Sequence, residues 1–538
     1  MLTLSQSSIK NSQLWNQAGI ETLNFDYDQM VASTRENPTW VHFGAGNIFR
    51  GFIATLQQTL LNQGKASTGI IAVETYDQEI IEKIYDPYGN LSLLAIMNQD
   101  GSLEKKLIGS IGESLVGDPA RETNWQRLKA IFCKPSLQMA SFTITEKGYG
   151  LKNMSGHYLP AVEQDMKTGP KQPQSVMAII TALVYKRFKQ GELPIALVSM
   201  DNCSHNGEKL YQAVRTIAQE WLENDFVEKA FLEYINNPDR VSFPWSMIDK
   251  ITPRPAESVK QALNDSGFSS TELICTTKNT YIAPFVNAEK PQYLVIEDQF
   301  PNGRMPLEAA GVMFTDRQTV NRVEKMKVCT CLNPLHTALA IFGCLLGYTL
   351  IADEMNDQDL KKLVQRIGYD EGMPVVVDPK ILDPKDFIKE VIEVRLPNPY
   401  IPDTPQRIAT DTSQKVGIRF GETIKAYSER SDLDSKTLVY IPLTIAGWCR
   451  YVMGLDDEGK AMKLSSDPLL ETLQGAISQV RLGEPQSARK SLQSILSNEE
   501  LFGINLYQIG LGEKIEGYFQ EMIAGKGAVR NTLHKYLG

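Results

Sequence analysis

Cysteine is sparse in this sequence and histidine sparser, and both are badly placed for cross-linking or chelation. The seven cysteines stand at 133, 203, 275, 329, 331, 344 and 449 without a C-x-x-C pair, and the five histidines at 42, 157, 205, 336 and 534. An odd, scattered set in 538 residues excludes a disulfide-stapled scaffold and fits reduced thiols in the cytoplasm. It offers no zinc spacing either, so no metal site is expected. A basic excess is missing: 55 Lys and Arg against 64 Asp and Glu leave a formal charge of −9, which argues against a nucleic-acid partner. No apolar run is long enough for a bilayer. The longest, Thr337 to Ala352, falls short of the roughly 20 residues a span needs and reads as a buried helix. The amino terminus, MLTLSQSSIK, lacks a basic leader and an apolar stretch, so no export is expected.

What is present is an ordinary globular composition, 42% apolar and 22% charged, in a chain too long for one core of roughly 50–250 residues. The first half alternates short apolar runs (40–43, 69–74, 91–96, 139–144, 195–199, 272–276 and 292–297) with amphipathic stretches such as 175–189 and 207–221. Continuous apolar runs suit parallel strands covered on both faces, the pattern of a doubly wound α/β domain. From about Asp316 helical periodicity dominates, over 317–325, 335–355, 357–367, 384–394, 442–453, 468–481 and 512–526, interrupted by the proline-rich LPNPYIPDTP at 396–405. The expectation is a Rossmann-like α/β domain over 1–316 and a mostly α-helical domain over 317–538.

Trp40-Val41-His42-Phe43 runs into Gly44-Ala45-Gly46-Asn47-Ile48-Phe49-Arg50-Gly51 and then a helical pattern. Strand, glycine turn and helix start are the context a dinucleotide loop requires: Gly44 permits the turn, Gly46 lets backbone approach a pyrophosphate, and the helix N-terminus carries partial positive charge. The spacing is GxGxxxxG rather than GxGxxG. Arg50, one turn into the helix, is placed to pair with a phosphate. Glu74 ends the next strand 23 residues after Gly51, about where a ribose-binding acid falls, with Asp77 as substitute. A carboxylate there repels a 2′-phosphate, so NAD is favoured over NADP.

Polar residues also gather at strand ends in TITEKGY (143–149), DNCSHNG (201–207), FPWSMIDKITP (243–253) and VIEDQF (295–300). KVCTCLNPLH (327–336) opens the long apolar helix, and DTSQK occupies 411–415. With the glycine loop, these motifs resemble the long-chain mannitol dehydrogenase family of polyol and hexuronate oxidoreductases over nearly the whole chain. The resemblance implies a metal-independent, NAD(H)-dependent interconversion of a secondary alcohol and a ketone. It assigns Lys327 as general acid/base, Asn202 and Asn333 as amide donors to the substrate oxygen, and His336 as an orienting group. Arg407 and Lys415 match positions near the far end of the substrate, and Asp249 the signature aspartate. Asn47 falls with Gly44, Gly46, Arg50 and Glu74 in the cofactor set. The chemistry is coherent: reducing a ketone requires stabilisation of a forming alkoxide and a proton to quench it, which amide donors and an ammonium supply.

Plainer readings exist for each. Lys327 reads as a surface lysine in a charged run with Arg322 and Lys325, Asn333 as an N-cap, His336 as a core histidine, and Glu74 as a solvated strand end. One departure from the family pattern carries a structural expectation. The usual lysine-to-asparagine spacing is five with glycine following; here it is six, followed by Pro334. On a regular helix the extra residue rotates Lys327 away from Asn333, and Pro334 cannot donate to the carbonyl of Thr330. An interruption is therefore expected between 327 and 334, either a π-bulge or a new helix with Asn333 as N-cap and Pro334 at N1.

The reading is a cytoplasmic NAD(H)-dependent oxidoreductase reducing D-fructuronate to D-mannonate or D-tagaturonate to D-altronate, its acid preference resting on the family and on Arg407 and Lys415. The alternatives are a mannitol- or arabinitol-type polyol dehydrogenase, and a silent NAD-binding sensor. The partner is a small sugar acid or polyol, with no nucleic acid or membrane; subunit number is open, and the stretch 276–289 has no assignment.

Overall fold

A computed structural model describes residues 2–153 and 155–538. The chain divides into two compact units, Met1–Asn321 and Arg322–Gly538. The division falls inside the helix Arg317–Met326.

The first unit is built on a six-stranded sheet: β1 (Trp40–Phe43), β2 (Ile70–Glu74), β3 (Ile111–Val116), β4 (Met139–Phe142), β5 (Ile195–Ser199) and β6 (Val241–Ser242). Every pair is parallel and the order is 3-2-1-4-5-6, the doubly wound arrangement with its switch point beside β1. β1, β2, β4 and β5 are buried on both faces, as their apolar runs require. β3 was not legible in the sequence: IGESLV carries polar residues mid-strand because it lies at the sheet edge, where Glu113 and Ser114 are only half-buried.

Three of the expected strands belong elsewhere, the 272–276 run among them as Ile274–Cys275 in a two-stranded hairpin. Ser92–Met97 pairs antiparallel with Leu103–Ile108 in a separate four-stranded sheet, and Tyr293–Glu297 lies between Ser246–Asp249 and Met313–Thr315 in a three-stranded one. Apolar runs report burial, not partners. The unassigned 276–289 stretch is one arm of a hairpin (Ile274–Cys275 with Tyr281–Ile282) followed by Phe285–Ala288, which joins the four-stranded sheet. Arg187 ties the helix Val176–Lys189 to the sheet: fully buried, its guanidinium donates to the carbonyls of Phe132, Lys134, Leu137, Leu193 and Pro194.

The second unit is helical among its described residues. Its central helix, Asn333–Leu346, is buried along most of its length and packs against Tyr440–Val452, so the longest apolar run is a core helix. The expected 335–355 helix is in fact two: Gly347, left-handed at φ +81°, ends the first, and Ile351–Glu354 forms a second. The helices expected over 357–367 and 384–394 end in π turns, Arg366–Gly372 and Val391–Arg395.

Candidate active site

At the carboxyl edge of the parallel sheet, β1 leads into Gly44 at φ +102°, where a Cβ would stand 2.2 Å from the carbonyl oxygen of Thr143. Only glycine fits this turn. At Gly46 a Cβ would meet nothing within 4 Å, so the loop presents an open cradle immediately before the helix start. A phosphate group approaching backbone fits there.

The polar residues expected to touch a cofactor turn inward. Glu74 is 6% exposed; its Oε2 accepts from the Ala45 amide (2.9 Å) and its Oε1 from those of Tyr76 (2.8 Å) and Asp77 (3.2 Å). Burial pushes its pKa up against these three donors. It is not a solvated strand end but a brace for the glycine loop. Asp77, also buried, accepts from Thr276 Oγ1 at 2.6 Å, which joins the 274–282 hairpin to this edge. Arg50 is 1% exposed and lies in a π turn, Phe49–Ile53. Rather than projecting a bare cation, it donates to Ser92 Oγ (3.2 Å), the Ala283 carbonyl (2.8 Å) and Asn47 Oδ1 (3.0 Å), and so orients Asn47.

The DNCSHNG motif divides between frame and display. Asp201 accepts from the amides of Ile144 and Thr145 (both 2.9 Å) and from Tyr149 Oη (2.6 Å), pinning the TITEKGY segment; burial raises its pKa. Asn206, 1% exposed, donates to the Asp201 carbonyl and to Ser246, and accepts from the Ser246 amide. Between these braces Asn202 is exposed at the carboxyl end of β5. Asp249 ends the strand Ser246–Asp249 and is 6% exposed.

In the second unit the extra residue after Lys327 is taken up by a π turn, Lys327–Cys331, closed by the Leu332 amide on the Lys327 carbonyl at 3.1 Å. The helix then restarts at Asn333 with Pro334 in its first turn. Both expected devices therefore occur in succession, with two adjustments: the cap residue is Leu332, not Asn333, and Pro334 falls at the second helical position, not the first. An i→i−5 closure holds one residue more than a regular turn, so six residues cover the rotation of about five. Lys327 is 2% exposed, which removes the surface-lysine reading.

His336 is not a core histidine bonded to backbone: its Nε2 lies 3.0 Å from Asp403 Oδ2. Asp403 also accepts two bonds from Arg407, Nε at 2.9 Å and Nη2 at 2.6 Å, and Thr404 caps the short helix Pro405–Ile408 that carries Arg407. Burial pushes the Asp403 carboxyl up, but His336 and Arg407 outweigh it and hold it below the usual carboxylate range. Asp403 was missed in the sequence because it sits in the proline-rich break; its one signal was its place four residues before Arg407.

Lys415 donates to the Thr410 carbonyl; burial first, then Arg419 and Arg407, lower its pKa. Arg419, also unread in the sequence, donates to Thr337 Oγ1, and burial pushes its pKa down to about 10. The Thr337 hydroxyl in turn donates to the Asn333 carbonyl at 2.8 Å.

Comparison with known proteins agrees with this architecture. The mannitol dehydrogenase Rossmann domain matches residues 38–309 and the mannitol dehydrogenase C-terminal domain residues 319–523. A Thermotoga maritima protein named D-mannonate oxidoreductase is 56% identical over 100% of this chain and 99% of its own. The Escherichia coli D-mannonate oxidoreductase is 27% identical over 85% of this chain and 89% of its own. In fold the chain is similar to Pseudomonas fluorescens mannitol 2-dehydrogenase, solved as a ternary complex with NAD and D-mannitol (TM-score 0.72, 24% identity, 99% of each chain). It also resembles a D-sorbitol dehydrogenase (TM-score 0.78, 23% identity, 97% and 98%). The glycine loop, the braced DNCSHNG turn, the buried lysine and these matches along the chain together make it a member of the mannitol dehydrogenase family of NAD-dependent oxidoreductases.

Proposed function

We propose that this chain is a cytoplasmic NAD(H)-dependent hexuronate oxidoreductase that interconverts D-fructuronate and D-mannonate, with Lys327 as general acid/base. One observation carries the reading: a lysine 2% exposed stands on a π turn that leads directly into Asn333 and an Asp403-bound His336. The substrate assignment is supported by the 56% identity to a protein named D-mannonate oxidoreductase.

The Gly44–Gly46 loop and the helix start at Asn47 would hold the cofactor's pyrophosphate. Glu74 acts there by bracing the loop through the Ala45 amide, and Arg50 by orienting Asn47. When bound, NADH supplies the hydride that reduces the ketone carbon, and NAD+ accepts it in the reverse direction. The carboxamides of Asn202 and Asn333 donate hydrogen bonds to the substrate oxygen, whose negative charge grows as hydride arrives. The Lys327 ammonium gives that oxygen its proton and takes it back in the oxidation. His336, its ring fixed by Asp403, positions a substrate hydroxyl. Asp249 helps to order this pocket, and Arg407 and Lys415 face the far end of the substrate.

NADH oxidation measured with D-fructuronate, D-tagaturonate and D-fructose tests the proposal. A kcat/KM for D-fructuronate well above that for the other two is expected. Equal rates on D-fructose and the uronates would instead make this a polyol-type enzyme, and binding of NADH without turnover of any of them would make it a sensor.

A further inference from the structure

We infer that Arg419 is a specificity-determining residue: with Lys415 it seats the carboxylate that distinguishes a hexuronate from a neutral ketose. The inference rests on the hexuronate reading and names a part of the site that the sequence motifs do not contain.

Three fully buried arginines, Arg50, Arg187 and Arg450, have no acidic partner among the described residues, and each is held by three or more neutral acceptors. Arg187 carries five backbone carbonyls, and Arg450 those of Leu455, Asp456 and Met522. Arg419 is different. Among the described residues its guanidinium has a single hydrogen-bond partner, Thr337 Oγ1, and no carboxylate within ion-pair distance. A guanidinium has five N–H donors, so most of its capacity is uncommitted. Arg419 is part-buried, and holding a partly desolvated charge without a counter-ion is unfavourable.

Its placement says what the missing partner is. Lys415 lies four residues earlier, bonded to one carbonyl and to no carboxylate, and the proximity of Arg419 and Arg407 lowers its pKa further. Arg407 is already paired with Asp403, whereas Lys415, whose charge Asp411 and Asp467 offset only in part, and Arg419 have no ion-pair partner among the described residues. Through Thr337, Arg419 is one hydroxyl away from the backbone of Asn333, and Thr337 directly follows His336. The spare donors therefore lie near the helix start proposed to hold the substrate, beside Arg407 and Lys415, which are assigned to its far end. A planar fork beside an ammonium matches a carboxylate accepting two parallel bonds, whereas a polyol hydroxyl would leave both cations unneutralised.

The test compares the full-length enzyme with Arg419→Met and Arg419→Lys, with melting temperature as a check on folding. Kinetics are measured with D-fructuronate and D-fructose, and inhibition with D-mannonate and D-mannitol. R419M should raise KM for D-fructuronate and the inhibition constant for D-mannonate by about 30-fold or more, with a smaller effect on kcat. The ratio of kcat/KM between D-fructuronate and D-fructose should fall by a similar factor, and R419K should recover part of it. If R419M melts too low to assay, R419K alone should still raise the D-mannonate constant several-fold relative to D-mannitol. Equal losses on charged and neutral compounds, or a D-fructuronate KM within threefold of wild type, would overturn the inference. A wild-type enzyme with no preference for D-fructuronate over D-fructose would overturn the hexuronate reading itself.

Discussion

Glu354 should make the protein less stable as pH rises, and its neutral mimic should abolish that trend. The side chain ends the short helix Ile351–Glu354, is 0% exposed, and neither oxygen has a hydrogen-bond donor among the described residues. Burial first, then the carboxylates of Asp403, Asp357 and Asp353, push its pKa from 4.5 up to about 10. A raised pKa in the folded state means that the folded protein keeps a proton the unfolded chain releases above pH 4.5. The associated stability is complete below that pH and is lost progressively until the pH reaches about 10. Each pH unit in the window corresponds to ~1.4 kcal/mol, so the interval from pH 5 to pH 8 corresponds to at most about 4 kcal/mol. Glutamine keeps the shape and cannot ionise. Urea unfolding of wild type and Glu354→Gln at pH 5, 6, 7 and 8 should show the variant gaining on wild type steadily across the series. A difference constant to within about 0.5 kcal/mol would refute the reasoning, because it would mean that Glu354 is ionised in the folded protein.

Three further predictions concern the glycine loop and Asp403. Gly46→Ala should leave stability within about 0.5 kcal/mol, since its Cβ meets no protein atom, yet weaken NADH binding at least tenfold in a fluorescence titration by filling the cradle. Gly44→Ala should instead destabilise the protein by more than about 2 kcal/mol in urea, because it combines a positive φ with a clash on the Thr143 carbonyl. Asp403→Asn should lower kcat/KM by about 10–100-fold, with little change in NADH affinity, because the bonds it makes to His336 and Arg407 weaken together.

The core of the first unit was legible because four parallel strands are buried on both faces, and a doubly buried strand writes itself as an apolar run. The same run does not say which sheet it joins, which is why Ser92–Met97 and Tyr293–Glu297 were drawn into the wrong one. The π turn at Lys327 could be anticipated because one surplus residue and one proline are incompatible with a regular helix, a local constraint that needs no tertiary knowledge.

The motif residues were easy to see and harder to interpret. Asp201, Asn206, Glu74 and Arg50 stand out in sequence as polar groups at strand ends, yet their partners are backbone amides, carbonyls and neighbouring side chains that hold the loops in place. Asp403 and Arg419 were invisible for the opposite reason. Each lies outside a motif and acquires its meaning only when folding brings it to His336 or Thr337.

The central claim is that the Lys327 ammonium moves the proton, and the pH dependence of kcat/KM for D-fructuronate reduction by wild type and Lys327→Met tests it most directly. The account predicts a loss of about 10²–10⁴-fold with NADH affinity within twofold, together with disappearance of the ionisation that limits the wild-type rate at high pH. A variant within a few-fold of wild type, titrating along the same profile, would contradict it.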